Sequence, residues 1–237
     1  LQNYEFFPLG DSGVVVKLGK VIDQSTHEQV KRLSDYLQDD PFPGMVEIVP
    51  GFTTVSVYYD PVVLYDPGSA QSPYERVIDL LGEIISRTQS KNSGEPRLVE
   101  IPVCYGGEFG PDLEEVARHN GLDPDEVVHI HSEQQYLVYM IGFAPGFPYL
   151  GGLDERIATP RRPTPRTAIP KGSVGIGGSQ TGIYPIVSPG GWNIIGRTAQ
   201  AMFRPEEQPP SLLRAGDLVR FRPISAKAFE ELREVTS

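Results

Sequence analysis

The segment Lys171-Gly-Ser-Val-Gly-Ile-Gly-Gly-Ser-Gln-Thr-Gly-Ile-Tyr-Pro185, followed by Ser188-Pro-Gly-Gly-Trp192, settles what kind of domain surrounds it. Its apolar residues come singly or in pairs, and glycine or proline interrupts them throughout. A helix does not tolerate that glycine density, whereas short strands joined by tight turns use it. The same punctuation runs from Phe143 to Pro205. It is the pattern of a closed or sandwich-like β domain.

Outward from this segment, regular elements are predicted on both sides. Tyr136–Phe143 and Leu98–Cys104 read as strands. Between them, Pro111–His119 reads as a helix stopped by Gly121, and Asp123-Pro-Asp-Glu126 caps a second helix carrying Val127, Ile130 and His131. Asp217–Pro223 closes the domain as a strand, and Ala226–Glu234 is an amphipathic tail helix. The polar, breaker-rich Lys91-Asn-Ser-Gly-Glu-Pro96 reads as a linker. Ahead of it, the order is β-α-β-β-α: Val14–Leu18, a helix opened by the capping box Ser25-Thr-His-Glu28, Val46–Val49, Thr53–Tyr59, and a helix capped by Ser72, Pro73 and Glu75. The expected organisation is a small α+β sandwich over residues 1–90, a linker at 91–96, and a mainly-β domain with short helices over 97–237.

Composition narrows the function. At 237 residues, with 39% hydrophobic and 22% charged residues, the chain is long enough to bury a core. No apolar run approaches the ~20 residues of a membrane span, and no basic segment leads into an apolar run at the N-terminus, so neither a membrane segment nor a secretory signal is expected. Cys104 is the single cysteine, which excludes an internal disulfide and fits a cytoplasmic setting. The net charge of −10 hides an asymmetry. Residues 156–205 contain no acid and seven bases (Arg156, Arg161, Arg162, Arg166, Lys171, Arg197 and Arg204), while residues 97–155 hold eleven acids and two bases. Such an island suits an anionic ligand or an acidic partner. Alternatively, its arginines pair with the acids of 97–155, and both readings stay open here. Nucleic acid is disfavoured by the overall negative charge.

Several standard sites fail on their residues. Gly177-Gly-Ser-Gln-Thr-Gly182 has phosphate-loop spacing but Ile183 where a lysine is needed. Ser173 lacks the first glycine of a nucleophile elbow. His129 and His131 lie on different helix faces, and no metal site is expected. Two segments remain. Gly142-Phe-Ala-Pro-Gly-Phe-Pro-Tyr-Leu-Gly-Gly152 is too rich in breakers for a regular element. It either displays Phe143, Pro145, Phe147 and Tyr149 as a pocket wall or partner surface, or uses the aromatics to plug the domain. In Pro160-Arg-Arg-Pro-Thr-Pro-Arg166, prolines stiffen the backbone that projects Arg161, Arg162 and Arg166. These arginines, with Gln180 and Tyr184, make candidate binding groups for a small carboxylate or amide. Trp192 joins the candidate pocket or partner surface. His131 reads either as a core histidine or as an acid/base group.

These segments resemble a known family. Ile101-Pro-Val-Cys-Tyr-Gly-Gly107, Gly142–Gly152, Pro160–Arg166, Pro170-Lys-Gly-Ser-Val174, Gln180-Thr-Gly-Ile-Tyr-Pro185 and Ser188–Trp192 look like the family of 5-oxoprolinase B subunits, also called the kinase A inhibitor (KipI) or allophanate hydrolase subunit 1 family. Pro41-Phe-Pro-Gly44 and Tyr58-Tyr-Asp-Pro61 extend the match to the first half. The resemblance implies an N-terminal α+β domain and a C-terminal cyclophilin-like barrel. It implies partner subunits C and A, with which the chain would hydrolyse 5-oxo-L-proline to glutamate using ATP handled by the assembled complex. It also implies an alternative role, inhibition of a sporulation sensor histidine kinase without catalysis.

Overall fold

The computed structural model describes residues 4–21, 23–88 and 96–235. The chain divides into two compact units, Leu1–Glu95 and Pro96–Ser237. Residues 91–95 of the expected linker lie outside the described residues.

In the first unit, strands β1 (Glu5–Pro8), β2 (Gly13–Lys17), β3 (Met45–Pro50) and β4 (Thr54–Tyr59) form an antiparallel sheet in the order β1-β2-β4-β3. Period-two alternation decides which face is buried. Val14 and Val16 of β2 sit opposite Val57 and Val55 of β4, and all four are fully buried. Helices α1 (Gln24–Asp39), α2 (Pro61–Leu64) and α3 (Pro73–Thr88) follow. Val30, Leu33 and Leu37 of α1 and Val77, Leu81 and Ile85 of α3 join those valines in one core. Asp23, rather than the predicted Ser25, caps α1 by accepting from the Thr26 N–H at 2.7 Å. The first aspartate that can reach a free N–H begins the helix two residues early. The α3 capping box forms as predicted, with Ser72 and Glu75 each accepting from the other's backbone N–H.

In the second unit, β5 (Leu98–Tyr105) is followed by α4 (Leu113–Asn120), α5 (Pro124–Glu133), β6 (Gln135–Ile141) and β7 (Pro148–Gly151). Then come β8 (Arg166–Ile169), β9 (Ser173–Gly177), β10 (Gln180–Ile183), β11 (Ser188–Gly190), β12 (Asn193–Arg197), β13 (Leu218–Pro223) and α6 (Ala226–Val235). Seven strands close into a barrel in the order β10-β7-β6-β13-β5-β12-β9, with β9 hydrogen-bonded back to β10. Of the two forms left open by the glycine pattern, the chain takes the closed one. All barrel pairings are antiparallel except β13 with β5. β8 and β11 form a separate two-stranded ribbon.

The barrel interior is filled by Ile101, Val103, Val138, Leu150, Val174, Ile176, Ile183, Ile195, Val219 and Phe221. Helices α4 and α5 add Val116, Ala117, Val127 and Ile130 to the same core. Gly121 ends α4 in the left-handed conformation at φ 68°, as its position predicts. Among the described residues, no helix is long and apolar enough to cross a membrane.

Candidate functional site

The glycine-rich strands have two faces that do opposite things. On β9, Val174 and Ile176 point into the barrel, so Ser173, Gly175 and Gly177 face outward. On β10, Thr181 and Ile183 are buried inside, leaving Gln180 and Gly182 outward. The outward glycines make a trough, and Trp192 lies in it. A Cβ on Gly177 would come within 2.6 Å of the Trp192 indole, and one on Gly182 within 3.0 Å. Such approaches exclude any side chain. These glycines therefore seat a tryptophan and do not cradle a phosphate. Gly177–Gly182 is a β hairpin, with its backbone groups engaged in the β9–β10 and β10–β7 ladders and, at Gly178, with Thr159.

Around Trp192, the predicted aromatics assemble into one cluster with Ile169 and Ile194. Phe147 meets Tyr149, Tyr184 and Trp192 edge-on, with ring centroids 4.9, 5.2 and 5.6 Å apart. Phe147, Tyr184 and Trp192 are buried. They plug this face instead of walling an open pocket, which corrects the display reading for Phe147 and Trp192. Phe143 is the exception. It is 62% exposed and holds a left-handed φ of 67°, rare for a residue with a side chain. Its ring packs edge-on against Phe147 at 5.4 Å. Pro145 is also exposed, and Ile186 and Val187 after β10 add exposed apolar surface. Arg161 places its guanidinium carbon 5.9 Å from the Trp192 ring centre. The Tyr184 hydroxyl, pushed up by burial, is partly restored by a hydrogen bond from the Trp192 backbone and by the charges of Arg161 and Arg166.

The other two arginines of the proline-stiffened segment are committed elsewhere. Asp112, whose side chain is only 4% exposed, accepts from Arg162 Nη1, Arg166 Nη1 and Arg166 Nη2, each at 2.8 Å. It also accepts from the Ile194 backbone N–H at 2.7 Å. Both carboxylate oxygens are thereby saturated. The hydrogen bond and charge of Asp112 hold the Arg166 guanidinium more firmly protonated. Arg162 and Arg166 thus tie the segment ahead of β8 to the start of α4 and to β12. They are structural ion-pair partners, which corrects their assignment as ligand-binding groups. Asp112 escaped the sequence reading because it looked like an ordinary helix-start aspartate. The usable signal was the surplus of acids in 97–155 facing the surplus of bases in 156–205.

His131 is likewise not an available acid or base. It is fully buried inside the barrel and stacked on Phe221 at 4.5 Å. Its Nδ1 lies 2.8 Å from the Tyr105 hydroxyl and its Nε2 2.9 Å from Thr181 Oγ1. Thr181 Oγ1 donates onward to the Gly175 carbonyl at 3.1 Å, so it accepts from Nε2–H, and Nδ1 accepts from Tyr105. The chain of bonds closes on a neutral imidazole. Burial pushes its pKa down to about 3. Gln180 stands half-buried at the β9–β10 turn, opposite Gly177.

A barrel with one glycine-floored aromatic face defines a class that comparison with known proteins identifies. The family described as carboxyltransferase domain, subdomain C and D, matches residues 4–213, and the chain belongs to that family. Within it, the chain falls among the B subunits of 5-oxoprolinases. It is 49% identical over 98% of its length to the 5-oxoprolinase B subunit of Bacillus subtilis, covering 97% of that protein. It is 41% identical over 94% of its length to the Escherichia coli O157:H7 protein of the same name, again covering 97%. The solved structure of TTHA0988 superposes with a TM-score of 0.79 at 35% identity, over 90% of this chain. This chain spans 40% of the length of that structure.

Proposed function

We propose that this chain is the B subunit of an ATP-dependent 5-oxoprolinase, a cytoplasmic assembly that hydrolyses 5-oxo-L-proline to L-glutamate. The observation that carries the reading is the 49% identity, end to end, with a protein named for that role. The geometry supports a subunit that works through partners. The one buried histidine among the candidates is neutral and fully bonded. The glycine segment with phosphate-loop spacing lacks the lysine and is a hairpin floor under Trp192, and ATP is assigned to the assembled complex. Opening a lactam with ATP is served by moving the γ-phosphoryl group to the lactam carbonyl oxygen. Water then adds to that carbon and the C–N bond breaks, freeing the amine and leaving an acyl phosphate, which a second water hydrolyses to the side-chain carboxylate and inorganic phosphate. The partners are subunits A and C. The exposed Phe143 and Pro145, with Ile186 and Val187 that follow Tyr184 in the chain and Arg161 over Trp192, supply the face for the C partner in this reading. The cyclophilin-like topology implied by the resemblance belongs to this reading, supported by the closed seven-strand barrel.

Co-expression with subunits A and C, followed by an assay of glutamate release from 5-oxo-L-proline with and without ATP, tests the assignment. ATP-dependent glutamate is expected. No product from the full set of subunits would overturn it and bring the kinase-inhibitor role forward.

A further inference from the structure

Phe143 joins two properties seldom found in one residue: a backbone in the left-handed region and a large apolar side chain in water. The Ala144 N–H donates to the Gly142 carbonyl at 2.8 Å, which closes a γ-turn with Phe143 at its centre. Its φ of 67° belongs to the strained form of that turn. A Cβ makes this conformation costly for any residue but glycine. Glycine is not scarce here, since Gly142, Gly146, Gly151 and Gly152 lie in the same segment. The strain persists because the loop between β6 and β7 is held on both sides. The Gly142 N–H donates to the Phe147 carbonyl at 3.0 Å, and the Phe147 N–H to the Ala144 carbonyl at 3.0 Å. Gly146, at φ 81°, abuts the chain after β12. A Cβ on it would lie 2.9 Å from the Met202 carbonyl oxygen and 2.8 Å from Phe203 Cβ.

The ring gains little from its own chain. It is 62% exposed and meets the aromatic cluster only edge-on, 5.4 Å from Phe147 and 6.4 Å from Tyr184. Phe147, Tyr184 and Trp192 behind it are buried, so the face projects a ring where an open pocket would recede. A projecting aromatic is complemented by a pocket in another protein. The nearby charge narrows which protein. Arg161 is exposed and lies over Trp192. Unlike Arg156, Arg162 and Arg166, it has no carboxylate within ion-pair distance among the described residues. A second copy docking through this same face would bring two such cations together. A different protein with a carboxylate at the rim of its pocket would pair with Arg161 instead.

We propose that Phe143 is a pre-set anchor: the strained γ-turn holds its ring outward, and the ring inserts into an apolar pocket of the C subunit whose rim carries a carboxylate for Arg161. Because the turn already fixes where the ring stands, docking loses little conformational freedom. The identity of the partner rests on the function proposed above. The anchoring role rests on the backbone and exposure of Phe143.

The test combines the affinity of the full chain for purified C subunit, by isothermal titration, with thermal melting of the chain alone. The variants are Phe143→Ala, Phe143→Gly and, as a control, Val62→Ala at an exposed apolar position of the first unit. Both Phe143 variants should bind the C subunit at least about thirtyfold more weakly, and Val62→Ala should bind as the unaltered chain does. Neither Phe143 variant keeps the ring, but only Phe143→Gly loses the Cβ. It should therefore melt about 2–4 °C above Phe143→Ala. Arg161→Ala should remove most of the salt dependence of the association. Unchanged affinity in both Phe143 variants overturns the anchor, equal melting of the two overturns the strain, and an unchanged salt dependence in Arg161→Ala overturns the carboxylate. Absence of binding to the C subunit by the unaltered chain, or self-association that Phe143→Ala abolishes, overturns the choice of partner. The anchor and the enzyme fail separately. ATP-dependent turnover by the complete complex, with full affinity in Phe143→Ala, sinks the anchor and leaves the function. Phe143-dependent binding to the C subunit, with no glutamate from the full set of subunits, sinks the function and leaves the anchor.

Discussion

The acid-free stretch spends its cations in opposite ways. Arg162 and Arg166 converge on one buried carboxylate whose oxygens have no capacity left. Lys171 and Arg197 stand at a cleft where, among the described residues, no carboxylate comes within reach. Both pairs come from a stretch of sequence without an acid; what differs is whether the fold brings a buried carboxylate to them. A cation saturated by its own chain is architecture, whereas one without a carboxylate presents its charge to its surroundings.

The contrast can be broken most forcefully at Asp112. Asp112→Asn leaves Arg162 and Arg166 without their shared charge and is expected to destabilise the second unit by about 3–5 kcal/mol, read from urea denaturation. A loss below ~1 kcal/mol would show that the lock holds nothing. Next in size is the buried histidine. Its pKa is about 3 in the fold against 6.5 in the unfolded chain, so the unfolded state binds the extra proton between those values. Stability is fully present above pH 6.5 and falls as pH drops toward 3, by up to ~1.4 kcal/mol per pH unit. His131→Gln should flatten part of that slope between pH 6 and 4 in denaturation curves, and an unchanged slope would reject the assignment. Buried His27, whose pKa is also lowered by desolvation, adds to the same slope. Arg161→Ala removes the guanidinium over Trp192 and is expected to cost about 0.5–1 kcal/mol, while loosening assembly with the proposed C partner in co-purification. The smallest change in stability belongs to Lys171→Met, within ~0.5 kcal/mol by thermal melting. A large loss there would mean that this lysine, too, is part of the scaffold.

What could be read from the sequence followed how local each cause is. Glycine spacing, caps and period-two alternation act within a few residues, so the strands around 171–197 and the boxes at Ser72 and Asp123 were legible. The aromatic residues were found for the same reason: breakers at Gly142–Gly152 rule out regular structure without knowledge of the fold. Their burial was not legible, because Phe147 and Trp192 meet only when β7 and β12 are brought around one barrel. The same holds for Asp112 and Arg166, which are 54 residues apart, and for His131 and Thr181, which are 50 apart. Ile183, sitting where a phosphate loop needs lysine, correctly removed that reading, yet it could not reveal that the neighbouring glycines are a seat for an indole.

One topological detail bears on how the molecule is made. β13 lies between β6 and β5 and is the only strand joining them. On a ribosome, the residues ahead of Leu218 can emerge with six of the seven staves in place, and the cask still stays open along two unpaired backbone seams. Those seams are the surfaces most prone to pair with a neighbouring nascent chain. The last of the seven barrel strands to be synthesised is the one that seals them, so a premature stop before Leu218 yields a sticky open sheet rather than a slightly shorter protein.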